Sequence, residues 1–195
     1  GKQVRIVVQD EDGFNRWDAI QQYAVRLIND IRTRQGAGQT ALCDAEFISA
    51  CRCLLTDERL DPAMVALMLD LPTEAYLAEQ QNPMDIDGNH AAREFLRQQL
   101  AQHLLVEWKN VYARMQQPGE FSATASAVAK RSLKNLALSY IALIDETGHA
   151  ALVTEQFKSA QNMTDSLAAL KTAANSSFAA LQEHASGMLE QFYER

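Results

Sequence analysis

Apolar side chains recur at intervals of three and four from Trp17 to Phe192, and that one period most constrains what this chain can fold into. A stripe repeating every 3.6 residues belongs to a helix with one buried face. The single β-branched run, Val4 to Val8, has no later segment to pair with and is discounted as a strand. The expected fold is all-α, a layered helical bundle or a solenoid-like array of antiparallel helices joined by short loops. No strict sequence period assigns it to a named repeat.

Start and stop residues divide the pattern into elements. After the acidic turn Asp10 to Gly13, a helix is expected from Asn15 to Arg34, striped by Trp17, Ile20, Ala24, Leu27 and Ile31 and ended by Gly36-Ala-Gly38. Asp44 is a cap for a helix carrying Phe47, Ile48, Cys51 and Leu55. Asp61-Pro62 opens a short helix, because proline at the first helical position gives up an amide that has no partner there anyway. Leu71-Pro72 stops it. Thr73 caps another helix that ends near Gln80, and Asn82 to Gly88 is rich in turn formers and reads as a loop.

The longest helix is expected from Asn89 to Met115, where Leu96, Leu100, Leu104, Trp108, Val111 and Met115 form a stripe that calls for a long partner. Pro118-Gly119 turns the chain into that partner, Ala123 to Ile144, to make an antiparallel pair. Its stripe runs through Val128, Ala129, Leu133, Leu136, Ala137, Tyr140, Ile141 and Ile144. Gly148 then separates a helix from His149 to Ser159. Asn162 opens the next, with Asp165 at its third position as a variant capping box. A final helix from Asn175 carries Phe178, Leu181, Ala185, Leu189 and Phe192 and meets no stop signal before Arg195.

Composition narrows the function. A net charge of -7 opposes binding to a polyanion, and the densest basic groups, Arg32-Thr-Arg34 and Lys130-Arg131 with Lys134, are single helical faces or ends. Nucleic acid is not expected as a partner, nor is a membrane, since no run of 18 apolar residues is present. Three cysteines, Cys43, Cys51 and Cys53, form no closed disulfide set and point to small buried thiols in a reducing cytoplasm.

Reactive constellations are missing from the sequence pattern. His90, His103, His149 and His184 fall in different helices or at their edges, and no two are four apart as a helical metal site requires. His149 beside Glu146 is the nearest approach to an acid-base pair, and it lacks a third group to orient it, so a capping or surface role is expected. His90 and Glu94 form a possible face pair of a few tenths of a kcal/mol. Isolated glycines exclude a P-loop or dinucleotide fingerprint, and aromatic residues such as Phe95 and Tyr140 lie on core stripes. No catalytic, cofactor-binding or metal-binding residue is assigned.

Specific strings carry more than the periodicity. Asp12-Gly-Phe-Asn-Arg-Trp-Asp-Ala19 resembles the entrance to the C-terminal helical domain of the bacterial aminopeptidase N family, the alanyl aminopeptidases among the M1 zinc metallopeptidases. In the same order as that family follow Leu60-Asp-Pro-Ala63, Leu71-Pro-Thr-Glu74, His90-Ala-Ala-Arg-Glu94, Arg131-Ser-Leu-Lys-Asn-Leu136, and Gln156-Phe157 leading to Asn162-Met-Thr-Asp165. Together they span nearly the whole chain.

The resemblance implies one helical domain over 1–195, truncated at both ends, with 1–13 as entry segment and turn. It implies a non-catalytic part of an enzyme that removes N-terminal amino acids from peptides and that carries zinc and an amine-binding Gly-x-Met-Glu-Asn motif in an upstream catalytic domain. That domain is the implied partner, peptides are the substrates of the full-length enzyme, and this part helps enclose the substrate cavity. It also implies that Val4 to Gln9 ends a helix. The alternative is a free-standing helical protein-interaction module.

At Phe14-Asn-Arg-Trp17 the residues predict that the aromatics anchor a helix start against neighbouring helices. Asn15 caps it, and Arg16 bonds a carboxylate or a carbonyl. A peptide-binding role is the rival for Arg16. Leu181, Leu189 and Phe192 are expected to be apolar positions left open at the end of the chain.

Overall fold

Side chains that accept orphan amides set most helix starts. In the computed structural model the described residues are Val7, 12–144 and 147–193, with Thr147 described by its backbone alone. They form ten helices and no strand. The chain packs as two compact units divided between Leu104 and Leu105.

The first unit holds α1 (Gly13–Gly36), α2 (Ala45–Thr56), α3 (Pro62–Leu69), α4 (Glu74–Glu79) and α5 (Ile86–His103). Asp44, Asp61 and Thr73 cap α2, α3 and α4 as expected, through amide bonds of 2.8 Å from Glu46, 2.7 Å from Ala63 and 3.2 Å from Tyr76. Two starts differ from the sequence reading. Asp12 rather than Asn15 caps α1, accepting from the Phe14 amide at 2.8 Å, because a carboxylate two residues before that amide reaches it first. Asp85 opens α5 three residues before Asn89, accepting from the Gly88 amide at 2.9 Å. A Cβ on Gly88 would collide with that capping carboxylate, so glycine there makes the close cap possible.

Apolar stripes close the first unit. Ile20, Ala24, Leu27, Ile28 and Ile31 of α1 are buried, and α5, which turns Ala92, Leu96, Leu100 and Ala101 inward, lies against α1. α3 packs on α1 and α2, and α4 packs on α5. Fully burying a large aliphatic side chain stabilises by roughly 1.5 to 3 kcal/mol. The loop 82–85 is tied to the first turn of α5 by paired amides: Gln81 Nε2 donates to Asn89 Oδ1 at 2.8 Å, and Asn89 Nδ2 donates back to Gln81 Oε1 at 3.2 Å. Asn89 is completely buried, so this pairing meets the need of its side chain.

The expected long helix from Asn89 to Met115 is two helices. At Leu104 the backbone leaves helical geometry, with φ of -121°. Arg52 Nη2 takes the carbonyl of His103 at 3.0 Å, an acceptor that a continuous helix would direct to the amide four residues on. Its apolar stripe is consequently divided. The part before the break packs on α1 and the part after it on another helix.

The second unit holds α6 (Leu105–Arg114), α7 (Ala125–Ile141), α8 (Thr147–Ser159), α9 (Met163–Ala174) and α10 (Ala179–Tyr193). α6 and α7 run antiparallel: Gln117 Nε2 reaches the Ala127 carbonyl at 2.8 Å near the turn, and Trp108 stacks on Tyr140 further along, with centroids 4.3 Å apart and planes 5° from parallel. Gly119 makes the turn with φ of 105°, a conformation that suits glycine. α9 packs against α7, α8 and α10, and α10 also touches α8.

Three boundary readings change here. α7 starts at Ala125 behind its Thr124 cap; of its expected stripe Ala129, Leu133, Ala137, Tyr140 and Ile141 are buried, while Val128 is exposed and Leu138 joins the inward face. Gly148 lies inside the first turn of α8 rather than separating it from what precedes. α10 starts at Ala179, not Asn175, and its buried positions are Leu181 and Met188. Of the three expected open positions, Leu181 is buried, Phe192 half-buried and Leu189 exposed. Of Val4 to Gln9, only Val7 is described; it is helical and fully buried, and the rest of that segment lies outside the described residues.

Candidate functional site

Two cations sit where the apolar period of α7 calls for core residues. Arg131 and Lys134 share the inward face with Ala127 and Leu138, and each retains only 6% of its surface. Removing a charge from water is unfavourable by several kcal/mol unless partners replace the lost hydration. The second unit supplies them from α9 and the turn after α6.

Asp165 of α9 is the centre. Its Oδ2 lies 2.6 Å from Lys134 Nζ and also accepts from Asn162 Nδ2 at 3.1 Å, while its Oδ1 accepts from Asn135 Nδ2 at 2.9 Å. The Asp165 amide donates to Asn162 Oδ1 at 2.9 Å, which completes the expected variant of the capping box through the asparagine side chain. Gln156 of α8 bridges outward: its Nε2 donates to Asn135 Oδ1 at 2.8 Å and to the Asp165 carbonyl at 3.2 Å, and its Oε1 accepts from the Tyr112 hydroxyl at 2.9 Å. Burial opposes ionisation of Asp165, but the donors from Lys134, Asn162 and Asn135 outweigh it and hold the carboxyl below its ordinary range. Burial pushes the Tyr112 phenol upward, so it stays a neutral donor.

Arg131 holds the turn. Its Nη1 donates to the Ser122 carbonyl at 2.7 Å and to Gln117 Oε1 at 3.3 Å, and its Cζ lies 5.0 Å from the centre of the Phe121 ring. The network borders a cavity of about 430 Å³, with Tyr112, Arg131, Lys134, Gln156 and Asp165 among its walls.

The residues singled out by sequence take other roles. His90 Nδ1 pairs with Glu74 Oε1 at 2.8 Å rather than with Glu94, whose carboxylate is occupied by Arg97 Nη1 at 2.9 Å. His149 is buried, not at the surface, with Nδ1 3.0 Å from the Ile144 carbonyl; because that oxygen only accepts, Nδ1 carries the proton. Glu146 lies outside the described residues. His103 and His184 are exposed. Among the described residues no group of three or more His, Cys, Asp or Glu is placed to hold a metal ion.

Arg16 Nε donates to the Val7 carbonyl at 2.7 Å, a structural use of the kind expected. The aromatic anchor differs from expectation at Phe14, which is 65% exposed, with its ring centroid 5.8 Å from that of the half-buried Trp17. Cys51 is buried and Cys43 half-buried, but Cys53 is exposed because two residues along a helix face different ways.

The burial of Lys134 and Arg131 escaped the sequence reading, which took them only as a basic helical face or end. A signal was present: both stand at helical spacing from Ala127 and Leu138. The strings that resemble a known family also assemble this network. Lys134 and Asn135 come from one string, and Gln156, Asn162 and Asp165 from another. In the first unit, Arg93 Nε from the His90 string likewise takes the carbonyl of Pro72 at 2.9 Å.

Residues 2–195 match the family described as "Domain of unknown function (DUF3458_C) ARM repeats", and the chain belongs to that family of helical domains. The particular relatives are aminopeptidases. Aminopeptidase N of Caulobacter vibrioides is 34% identical over 161 residues, and that of Escherichia coli 35% identical over 160. These matches cover 83% and 82% of this chain but 18% of each relative, so the chain spans less than a fifth of their length. A crystal structure of Legionella pneumophila aminopeptidase A in complex with aspartic acid superposes with a TM-score of 0.80 at 25% identity, covering 98% of this chain and 23% of that one. The resemblance read from the strings and the all-α architecture both hold.

Proposed function

We infer that this chain is the non-catalytic helical part of a zinc aminopeptidase of the M1 family, one that removes N-terminal amino acids from peptides. In this reading residues 1–195 serve as one helical domain, with 1–13 as its entry segment, beside an upstream catalytic domain that holds the zinc. The helical part helps enclose the substrate cavity. The observation that carries the proposal is similarity to aminopeptidase N along most of this chain and along only 18% of those relatives.

Among the described residues no set of side chains is arranged to hold zinc. A catalytic site needs about three converging ligands. The described histidines, cysteines and carboxylates supply no such group, and the buried carboxylate Asp165 is already occupied by Lys134, Asn135 and Asn162. In this reading zinc belongs to the upstream catalytic domain of the parent. A cytoplasmic setting is supported by three cysteines without a disulfide. No helix among the described residues is long and apolar enough to cross a membrane.

The test is the reading frame of the parent gene. His-Glu-x-x-His and Gly-x-Met-Glu-Asn encoded upstream in the same frame are expected; a frame without them overturns the proposal. The isolated chain is expected to show no turnover of unblocked aminoacyl substrates with added zinc. Saturable, zinc-dependent hydrolysis by the purified chain would contradict the non-catalytic role.

A further inference from the structure

Among the described residues of the second unit the buried charges do not balance. Arg131 and Lys134 are buried against one buried carboxylate, Asp165. A guanidinium carries five N–H donors and an ammonium three. Arg131 uses two, both on Nη1, for the Ser122 carbonyl and Gln117 Oε1, and Lys134 uses one for Asp165. Among the described residues three donors of Arg131 and two of Lys134 meet no protein acceptor. Both side chains line the cavity of about 430 Å³.

The arrangement selects for shape as well as charge. Phe121 lies over the Arg131 guanidinium, and a cation placed over a ring keeps the in-plane edge of its fork for a planar oxyanion. Asp165 cannot supply that oxyanion, since Lys134, Asn135 and Asn162 already hold its two oxygens. Glu120 and Glu155 stand at the rim, both exposed, and neither makes an ion pair with Arg131 or Lys134. Tyr112, Leu152 and Pro118 add apolar wall. That favours an organic acid over an inorganic ion, and the volume suits a small ligand.

We propose that the Arg131 and Lys134 side of this cavity binds the carboxylate of a small organic acid, through the donors that these two buried cations leave unused. A free amino acid derivative and the carboxyl end of a short peptide offer the same group. The site requires nothing of the parent's peptidase activity.

The test uses the full chain, titrated with N-acetyl-leucine, N-acetyl-leucinamide, N-acetyl-trialanine and inorganic phosphate. Calorimetry gives the affinity, and the NMR signal of Arg131 Nε–H gives the place. N-acetyl-leucine should bind and move that signal, and the amide should bind at least about tenfold more weakly, because it loses a charge-assisted contact. The peptide binding more tightly than the acetylated amino acid would assign the carboxylate to a peptide end; the reverse would assign it to a single amino acid. Arg131→Gln should weaken the acid by about tenfold or more, with Arg131→Lys between them. Equal affinity for acid and amide, phosphate binding more tightly than both acids, or no response to either acid overturns the proposal. The comparison of acid with amide in the unaltered chain decides even if the variants fail to fold.

Discussion

Lys134 of α7 and Asp165 of α9 meet at 2.6 Å, with side chains only 8% and 7% exposed. Attraction between buried charges largely offsets their lost hydration, so the pair adds little over an apolar pair, while either charge alone is strongly unfavourable. Asp165→Leu is expected to lower the unfolding free energy by about 3 to 5 kcal/mol, and Lys134→Met/Asp165→Leu by less than the sum of the two single changes. Urea denaturation of the four chains measures this; simple additivity would show that the two charges do not act as a pair.

The same carboxyl sets an acid limit. Its folded pKa lies below the unfolded value of about 4, so its contribution is present above that value and is lost as pH falls through the folded pKa. Stability should drop below about pH 4 and do so less steeply in Asp165→Asn, which is also less stable at neutral pH. Urea midpoints at pH 7, 4 and 3 provide the check.

His90 titrates in the opposite sense. Its hydrogen bond with Glu74 raises its pKa above the ordinary 6.5. The stabilisation is complete below 6.5 and disappears as pH rises through the folded pKa, and both side chains are well exposed, so it is small. An NMR titration should place the His90 midpoint above 6.5, and Glu74→Gln should move it down. An unchanged midpoint in that variant would remove Glu74 as the cause.

Thiol accessibility separates the three cysteines. Burial and the nearby Asp44 carboxylate push the Cys43 thiol up to about 11, and burial also raises Cys51, whereas Cys53 is exposed. Iodoacetamide under native conditions at pH 8 should alkylate Cys53 first. Mass spectrometry that finds Cys51 modified before Cys53 would contradict the burial order.

α10 carries two leucines with different consequences. Leu181→Ala should lower stability by about 2 to 5 kcal/mol, since Leu181 is 1% exposed, while Leu189→Ala should stay within about 0.5 kcal/mol because Leu189 is 45% exposed. Thermal unfolding of the two variants distinguishes them; equal losses would place both on the buried face.

Helix type and most helix starts were legible because the 3.6-residue period and most caps act within a few residues. Asp44, Asp61, Thr73 and Asn162 each serve the amide two or three positions ahead. The interruption at Leu104 was not legible, because the His103 carbonyl is taken by Arg52, a residue 51 positions away. The same limit hid the site. The sequence alone determined that α7 is a helix with one inward, apolar face, a stripe from which Arg131 and Lys134 were left out. Only tertiary packing decided that Asp165, Asn135, Asn162 and Gln156 converge there, because the free energy of a buried charge depends on partners that local sequence does not reveal.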